Sequence, residues 1–276
     1  MRAAAVQLNS TEQKERNLEV AERLVRDAAR DGADLVCLPE KWTVLGDSQA
    51  LLKGAEPLDG PSLSAARGWA RELAIHLVAG SMAERVAGQE RLFNTSVLID
   101  PRGEDVAVYR KIHMFDVEVE GVSYRESEHE QGGDEIVTAP IGEAELGLTV
   151  CYDLRFPELY RILAVRGARV ITVPSAFTAP TGLAHWEVLL RARAIEDQVF
   201  VVAPNQIGKA PPHYESYGHS AIVDPWGVVL AMAPDEECFV AADLDLEAQQ
   251  QMREKLPALA NRRPGAYRWP EEVEVG

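Results

Sequence analysis

The opening of the chain constrains the fold more than any other stretch. Residues 3–8 form an apolar run of strand length, residues 15–30 carry Leu18, Ala21, Val25 and Ala28 at helical spacing, and residues 33–38 read as a strand again. Asp31-Gly32 ends the helix, and a strand, a helix and a strand in succession is the unit that builds a parallel pair. Pro39 stops the second strand and leaves Glu40 at its C-terminal end, where ligand-binding groups collect in open α/β sheets.

The alternation continues along the chain. Residues 46–61 are loop-like, Pro61 starts a helix reaching about Leu73, and strands are expected at 76–81, 91–100 and 105–110. The last two are joined by the turn Asp100-Pro101-Arg102-Gly103, so they pair antiparallel and the sheet is mixed. Lys111 lies just past that hairpin, followed by a polar stretch over 112–134 without clear periodicity; loops this long in a compact domain are usually functional or disordered. Leu146, Leu148 and Val150 mark a central strand, Cys151 stands at its end, and Pro157 suits the first turn of the next helix. Helices are expected at 158–166, 184–197 and 246–255, and strands at 169–173, 199–203, 219–223, 228–232 and 237–244. From about Leu256 a tail with several Pro and Arg residues should run extended over a surface. About ten strands overfill one small sheet, so two sheets packed face to face with helices outside follow, as a single α/β domain over 1–276.

A net charge of -16 argues against nucleic acid and anionic membranes as partners. Cys37, Cys151 and Cys238 are an odd number without close spacing, which argues against a disulfide framework or zinc site and for a reducing compartment. The opening is too short for a signal peptide and no apolar run approaches 18 residues, so a cytoplasmic protein is expected.

Three polar residues stand just beyond expected strands: Glu40, Lys111 and Cys151. Strand ends often carry solvated Glu or Lys, and Cys is often a small buried hydrophobe. Together, however, they make an acyl-transfer set. A thiolate attacks a carbonyl, a carboxylate moves the proton from thiol to leaving amine, and an ammonium steadies the oxyanion. No His sits in a local signature that would activate a papain-like Cys.

Glu40 in Leu-Pro-Glu-Lys, Lys111 in Tyr-Arg-Lys-Ile-His-Met-Phe-Asp and Cys151 in Val-Cys-Tyr-Asp-Leu-Arg-Phe-Pro-Glu resemble the three signature motifs of the nitrilase superfamily of carbon-nitrogen hydrolases. The likeness continues through Pro174–Thr178, His185–Glu196 and the stretches 217–220 and 224–227, nearly the whole chain. It implies a four-layer α-β-β-α sandwich that pairs as a homodimer, and no metal or organic cofactor. It also implies Cys151 as nucleophile, Glu40 as general base, and Lys111 with the Tyr152 backbone N–H as oxyanion hole. The family carries a second glutamate, which the pattern Tyr-Arg-Glu-Ser puts at Glu126, with Glu128 and Glu130 as alternatives.

The motifs around Cys151 and over 181–194 look most like the Nit branch, which hydrolyses ω-amido 2-oxo acids or the amide of deaminated glutathione. Stretch 216–227 looks closer to the deaminated-glutathione type. Other superfamily activities, such as hydrolysis of N-carbamoyl amino acids, and a non-catalytic scaffold on the same fold stand as alternatives. A small carboxylate-bearing amide needs a cation: Arg155 is the candidate, unless it pairs internally with Asp153 or Glu158. Phe177 and Thr178 would line the pocket if their strand lies beside that of Cys151, with core packing the alternative for Phe177. Val188, Leu189, Ala192 and Ile195 have helical spacing, with Arg191, Arg193 and Glu196 as ion pairs of that helix. His219 reads as a hydrogen-bonded structural residue and Trp226 as turn packing.

Overall fold

In the computed structural model, residues 1–119, 121–210 and 214–267 are described. Six helices occur among them: α1 Lys14–Arg30, α2 Ser48–Gly54, α3 Pro61–Leu73, α4 Pro157–Val165, α5 Ala179–Asp197 and α6 Leu246–Lys255. None is long and apolar enough to cross a membrane.

Two sheets form the centre. The first runs Cys238–Asp243, Arg2–Gln7, Leu35–Cys37, His76–Val78, Phe93–Ile99, Met82–Glu84, with Asp105–Arg110 also on Phe93–Ile99. The second runs Val229–Met232, Ala221–Val223, Phe200–Ala203, Ala168–Thr172, Ala144–Leu148, Thr138–Ile141. Each is mixed around three central parallel strands: Arg2–Gln7, Leu35–Cys37 and His76–Val78 in one, Ala144–Leu148, Ala168–Thr172 and Phe200–Ala203 in the other.

The period of two along strands assigns side chains to layers. Ala3, Ala5, Leu35, Cys37, Val78 and Leu98 face the second sheet in one core, while Ala4, Val6, Val36, Leu38 and Leu77 face α1 and α3 in another. Small alanines on the inner face let the two sheets approach closely. On the far side, α4 and α5 cover the second sheet through Leu159, Leu163, Trp186 and Leu190, completing the order helix, sheet, sheet, helix. Each buried Leu or Val contributes roughly 1.5–3 kcal/mol. The expected four-layer sandwich is the fold observed.

Several elements depart from the expectations. Helix α2 occupies the supposed 46–61 loop, with Asp47 capping it by accepting from Ala50 N at 2.8 Å. The polar 112–134 stretch holds a hairpin, Asp116–Val119 with Val122–Arg125, then a 3-10 turn at Glu126–Glu128. Strands Met82–Glu84, Thr138–Ile141, Ile207–Ala210 and Tyr214–Tyr217 bring the described total to 17, not ten. Helix α5 begins at Ala179 rather than 184, because Pro180 suits a first turn.

Its buried face is also different from the one expected. Gly182, Trp186, Leu190 and Ala194 point inward, while Val188 is 66% and Ile195 49% exposed. The helix is apolar on two sides, and spacing alone cannot say which side is covered. Trp226, expected to pack, is likewise 66% exposed. From Pro257 to Tyr267 the tail makes turns and a 3-10 turn at Pro264–Ala266 instead of running extended. Its remainder, 268–276, lies outside the described residues.

Candidate active site

Three strand ends converge on one cavity. Beyond Leu35–Cys37 the chain stays tied to its neighbour through Leu38 N–H to Val78 O and Ser81 N–H to Pro39 O, which fixes Glu40 at the rim. Gly80 permits this approach: its φ is +44°, and a Cβ there would lie 2.0 Å from Pro39 O. Lys111 follows Asp105–Arg110 and keeps a ladder bond to Asn94 O at 2.9 Å. Cys151 ends the strand segment after Leu148, with its N–H on Pro174 O at 2.9 Å and a left-handed φ of +49°. A non-glycine residue there is strained, and strain of this kind gathers where a side chain must be aimed.

Lys111 Nζ lies 3.0 Å from Glu40 Oε1 and 2.8 Å from Glu126 Oε2. Glu40 also accepts from Asn94 Nδ2 and, across the two sheets, from Ala176 N, both at 2.8 Å. Glu126 accepts from Phe115 N at 2.8 Å and from Lys41 Nζ at 3.2 Å. Of the three alternatives for the second glutamate, Glu126 is the one against Lys111; the Glu128 side chain is 64% exposed and Glu130 pairs with Lys41 instead. Glu40, Lys111, Glu126 and Cys151 all line a cavity of about 330 Å³, within the range of small-molecule sites.

Burial sets the proton inventory. It pushes the Cys151 thiol well above its usual value, and Glu40 adds to that more than Lys111 subtracts. Burial pulls the Lys111 ammonium down, but Glu126 and Glu40 overcome this and hold it charged. Burial raises the Glu126 carboxyl, yet Lys111 and Lys41 outweigh it and keep it below the carboxylate range.

Tyr152 is an early residue of the 3-10 turn Cys151–Arg155, where N–H groups have no partner within the turn. The turn is fixed by Asp153, which is fully buried. Its carboxylate accepts from Tyr109 Oη at 2.6 Å, Val150 N at 2.9 Å and His113 N at 3.2 Å, and lies 2.7 Å from His113 Nδ1. Among the described residues Arg155 forms no ion pair with Asp153, Glu158 or any other carboxylate. Its guanidinium stands over Phe177 at 5.1 Å and Tyr152 at 5.9 Å, 3.2 Å from His185 Nδ1, on the cavity wall. Phe177 and Thr178 line the same cavity, and Phe177 also packs on Trp186. His219 is a hydrogen-bonded residue, 3.0 Å from Tyr217 O through Nδ1. Arg191 pairs with Glu187 and Arg193 with Glu196.

Sequence reasoning missed Asn94, Asp153, Lys41 and the Ala176 N–H. Asp153 had a signal, an acid three residues into a turn after a strand. Asn94 had only a weak one, a polar residue within a strand.

Comparison with known proteins bears on the family. The chain is 43% identical over 272 residues to deaminated glutathione amidase of Mus musculus, covering 96% of this chain and 84% of that one. It is 38% identical over 267 residues to omega-amidase NIT2 of Mus musculus, covering 96% of each. The crystal structure of the C. elegans NitFhit protein superposes with a TM-score of 0.89 at 36% identity, covering all of this chain and 68% of that one. Residues 2–254 match the Carbon-nitrogen hydrolase family, and this chain belongs to it.

Proposed function

We propose that this chain is a cofactor-independent amidase that cleaves a small carboxylate-bearing amide through a thioester on Cys151, with deaminated glutathione as the best-supported substrate. The observation that carries the chemistry is Lys111 Nζ held between Glu40 and Glu126, at 3.0 and 2.8 Å, on the cavity that Cys151 lines. The resting thiol is neutral, so proton transfer accompanies attack: Glu40 takes the thiol proton as sulfur bonds to the amide carbon. Lys111 and the Tyr152 N–H steady the oxyanion. Collapse breaks the C–N bond and Glu40 protonates the departing amine. Water, activated by Glu40, then opens the thioester and restores the thiol.

Arg155 has no carboxylate partner among the described residues, and it fits a carboxylate of the substrate held beside Phe177 and Thr178. Deaminated glutathione is a 2-oxoglutaryl amide of cysteinylglycine, so hydrolysis frees 2-oxoglutarate and cysteinylglycine. The reading is supported by relatives of that name at 43% and 40% identity. A second reading, an omega-amidase, is supported by the 38% relative and would place the same acyl group on Cys151 with ammonia leaving. Release of 2-oxoglutarate from deaminated glutathione and from 2-oxoglutaramate tests the choice. Higher kcat/KM for the first supports this proposal, higher kcat/KM for the second supports the omega-amidase, and turnover of neither refutes both.

The chain is read further as one domain that works as a cytoplasmic homodimer. Ile195 of α5 abuts the turn at Gly227, and Val188 and Ile195 on that helix, with Trp226 on the turn, are exposed apolar side chains. A second copy covering them is the occupant the family resemblance favours.

A further inference from the structure

Beside Glu40 the site holds two ionisable groups that the chemistry above does not employ. Lys41 has a left-handed φ of +52°, and its Nζ lies 2.8 Å from Glu130 Oε1 and 3.2 Å from Glu126 Oε1. Glu130 is 1% exposed, and its carboxyl meets that of Glu126. Among the described residues neither Glu130 oxygen has a well-directed hydrogen-bond donor, whereas Glu126 accepts from Lys111, Lys41 and Phe115 N.

Fully ionised, the cluster would set the three carboxylates of Glu40, Glu126 and Glu130 against the two ammoniums of Lys41 and Lys111, away from water. Two carboxyls in contact cannot both carry charge cheaply, so a proton belongs between them. Glu126 has the richer set of donors and keeps the charge. We propose that Lys41 and Glu130 are a positioning pair: Glu130 is a neutral acid that donates a hydrogen bond to Glu126, and Lys41 bridges the two glutamates, so that Glu126 stays aimed at Lys111.

The charged groups facing Glu130 are Lys41, from the turn after Leu35–Cys37, and Glu126, from its 3-10 turn, with Lys111 and Glu40 behind them. Its neighbours are directed elsewhere: Arg91 donates to Ser127 O and His129 lies 3.9 Å from Glu128. Burial raises the Glu130 carboxyl, Lys41 pulls it back and Glu126 raises it again, to about 8. Above that pH Glu130 ionises against Glu126 and the arrangement loosens.

The inference rests on the reading that Glu126 and Lys111 serve Cys151, so its test has a readout without substrate. Infrared difference spectra of the whole chain between pH 7 and 10 should show loss of a protonated carboxyl in the wild type and none in Glu130→Gln. Absence of that signal in the wild type overturns the proposal, whatever the enzyme hydrolyses. In kinetics on deaminated glutathione, kcat/KM of the wild type should fall on the alkaline side near pH 8. Glu130→Gln should keep the neutral-pH value within about threefold and lose that fall, because the amide still donates to Glu126. Lys41→Met should lower kcat about tenfold with KM little changed, the loss of one charge-assisted hydrogen bond. An alkaline fall that persists in Glu130→Gln overturns the proposal. Failure of the wild type to turn over any amide refutes the proposed function instead, and the infrared result then decides on Glu130.

Discussion

Cys151 combines a strained φ with a buried thiol whose proton is held by its surroundings. If Cys151 is the nucleophile proposed, Cys151→Ala should lower amide turnover at least ~10³-fold while leaving the melting temperature near that of the wild type. Glu126→Gln removes a counter-charge of Lys111 and should reduce kcat by ~10–100-fold, with KM changing less. Arg155→Leu should act on the other parameter. Losing a charge-assisted contact of ~1.5–3 kcal/mol would lower kcat/KM for a carboxylate-bearing amide by about 10–100-fold, with Arg155→Lys recovering only part. Cys151, Glu40 and Lys111 were legible because each follows an apolar strand in a distinctive sequence motif. Asn94 was not, because its importance lies in reaching Glu40 across 54 positions of chain, a contact that exists only after the strands have paired.

At the level of elements, the turn Cys151–Arg155 is the part on which the proposed chemistry depends most. Asp153 ties it to Tyr109 of the first sheet and to His113 in the loop beyond that strand, so Cys151 past the end of one sheet is registered against Lys111 past the end of the other. Asp153→Asn must turn its amide toward some of these groups and leave at least one buried group unpaired, at a cost of about 1–3 kcal/mol. A thermal melt should then shift down by several degrees, and kcat should fall with it. The long helices and paired central strands were readable from period and turn chemistry. The three- and four-residue strands were not, because they carry too few residues to show a period and are held by ladders to neighbours far away in sequence. Helix α5 shows the opposite difficulty: it is apolar on two faces, and only the packed molecule says which one the second sheet covers.

Over the whole molecule, two buried carboxyls hold protons longer than they would in an unfolded chain. Burial, against Arg161, brings Asp197 from 3.8 to about 6, and burial with Glu126 brings Glu130 from 4.5 to about 8. The folded state therefore binds more protons in this window. Its contribution from these groups is complete below their unfolded values and is lost as pH rises through about 6 and about 8. Melting temperature should decline between pH 5 and 9, and the upper part of the decline should flatten in Glu130→Gln. The apolar face of α5 makes a separate prediction at this scale. Val188→Glu should convert a dimer to monomers in sedimentation velocity without unfolding the chain, and a wild type that is monomeric at all concentrations would contradict it. The measurement that reaches the central claim is mass spectrometry of the protein quenched during turnover of deaminated glutathione. The account predicts a 2-oxoglutaryl group on Cys151, absent from Cys151→Ala, which should also lack turnover. Turnover that persists in Cys151→Ala, with no acyl group ever found on the wild-type cysteine, would contradict it.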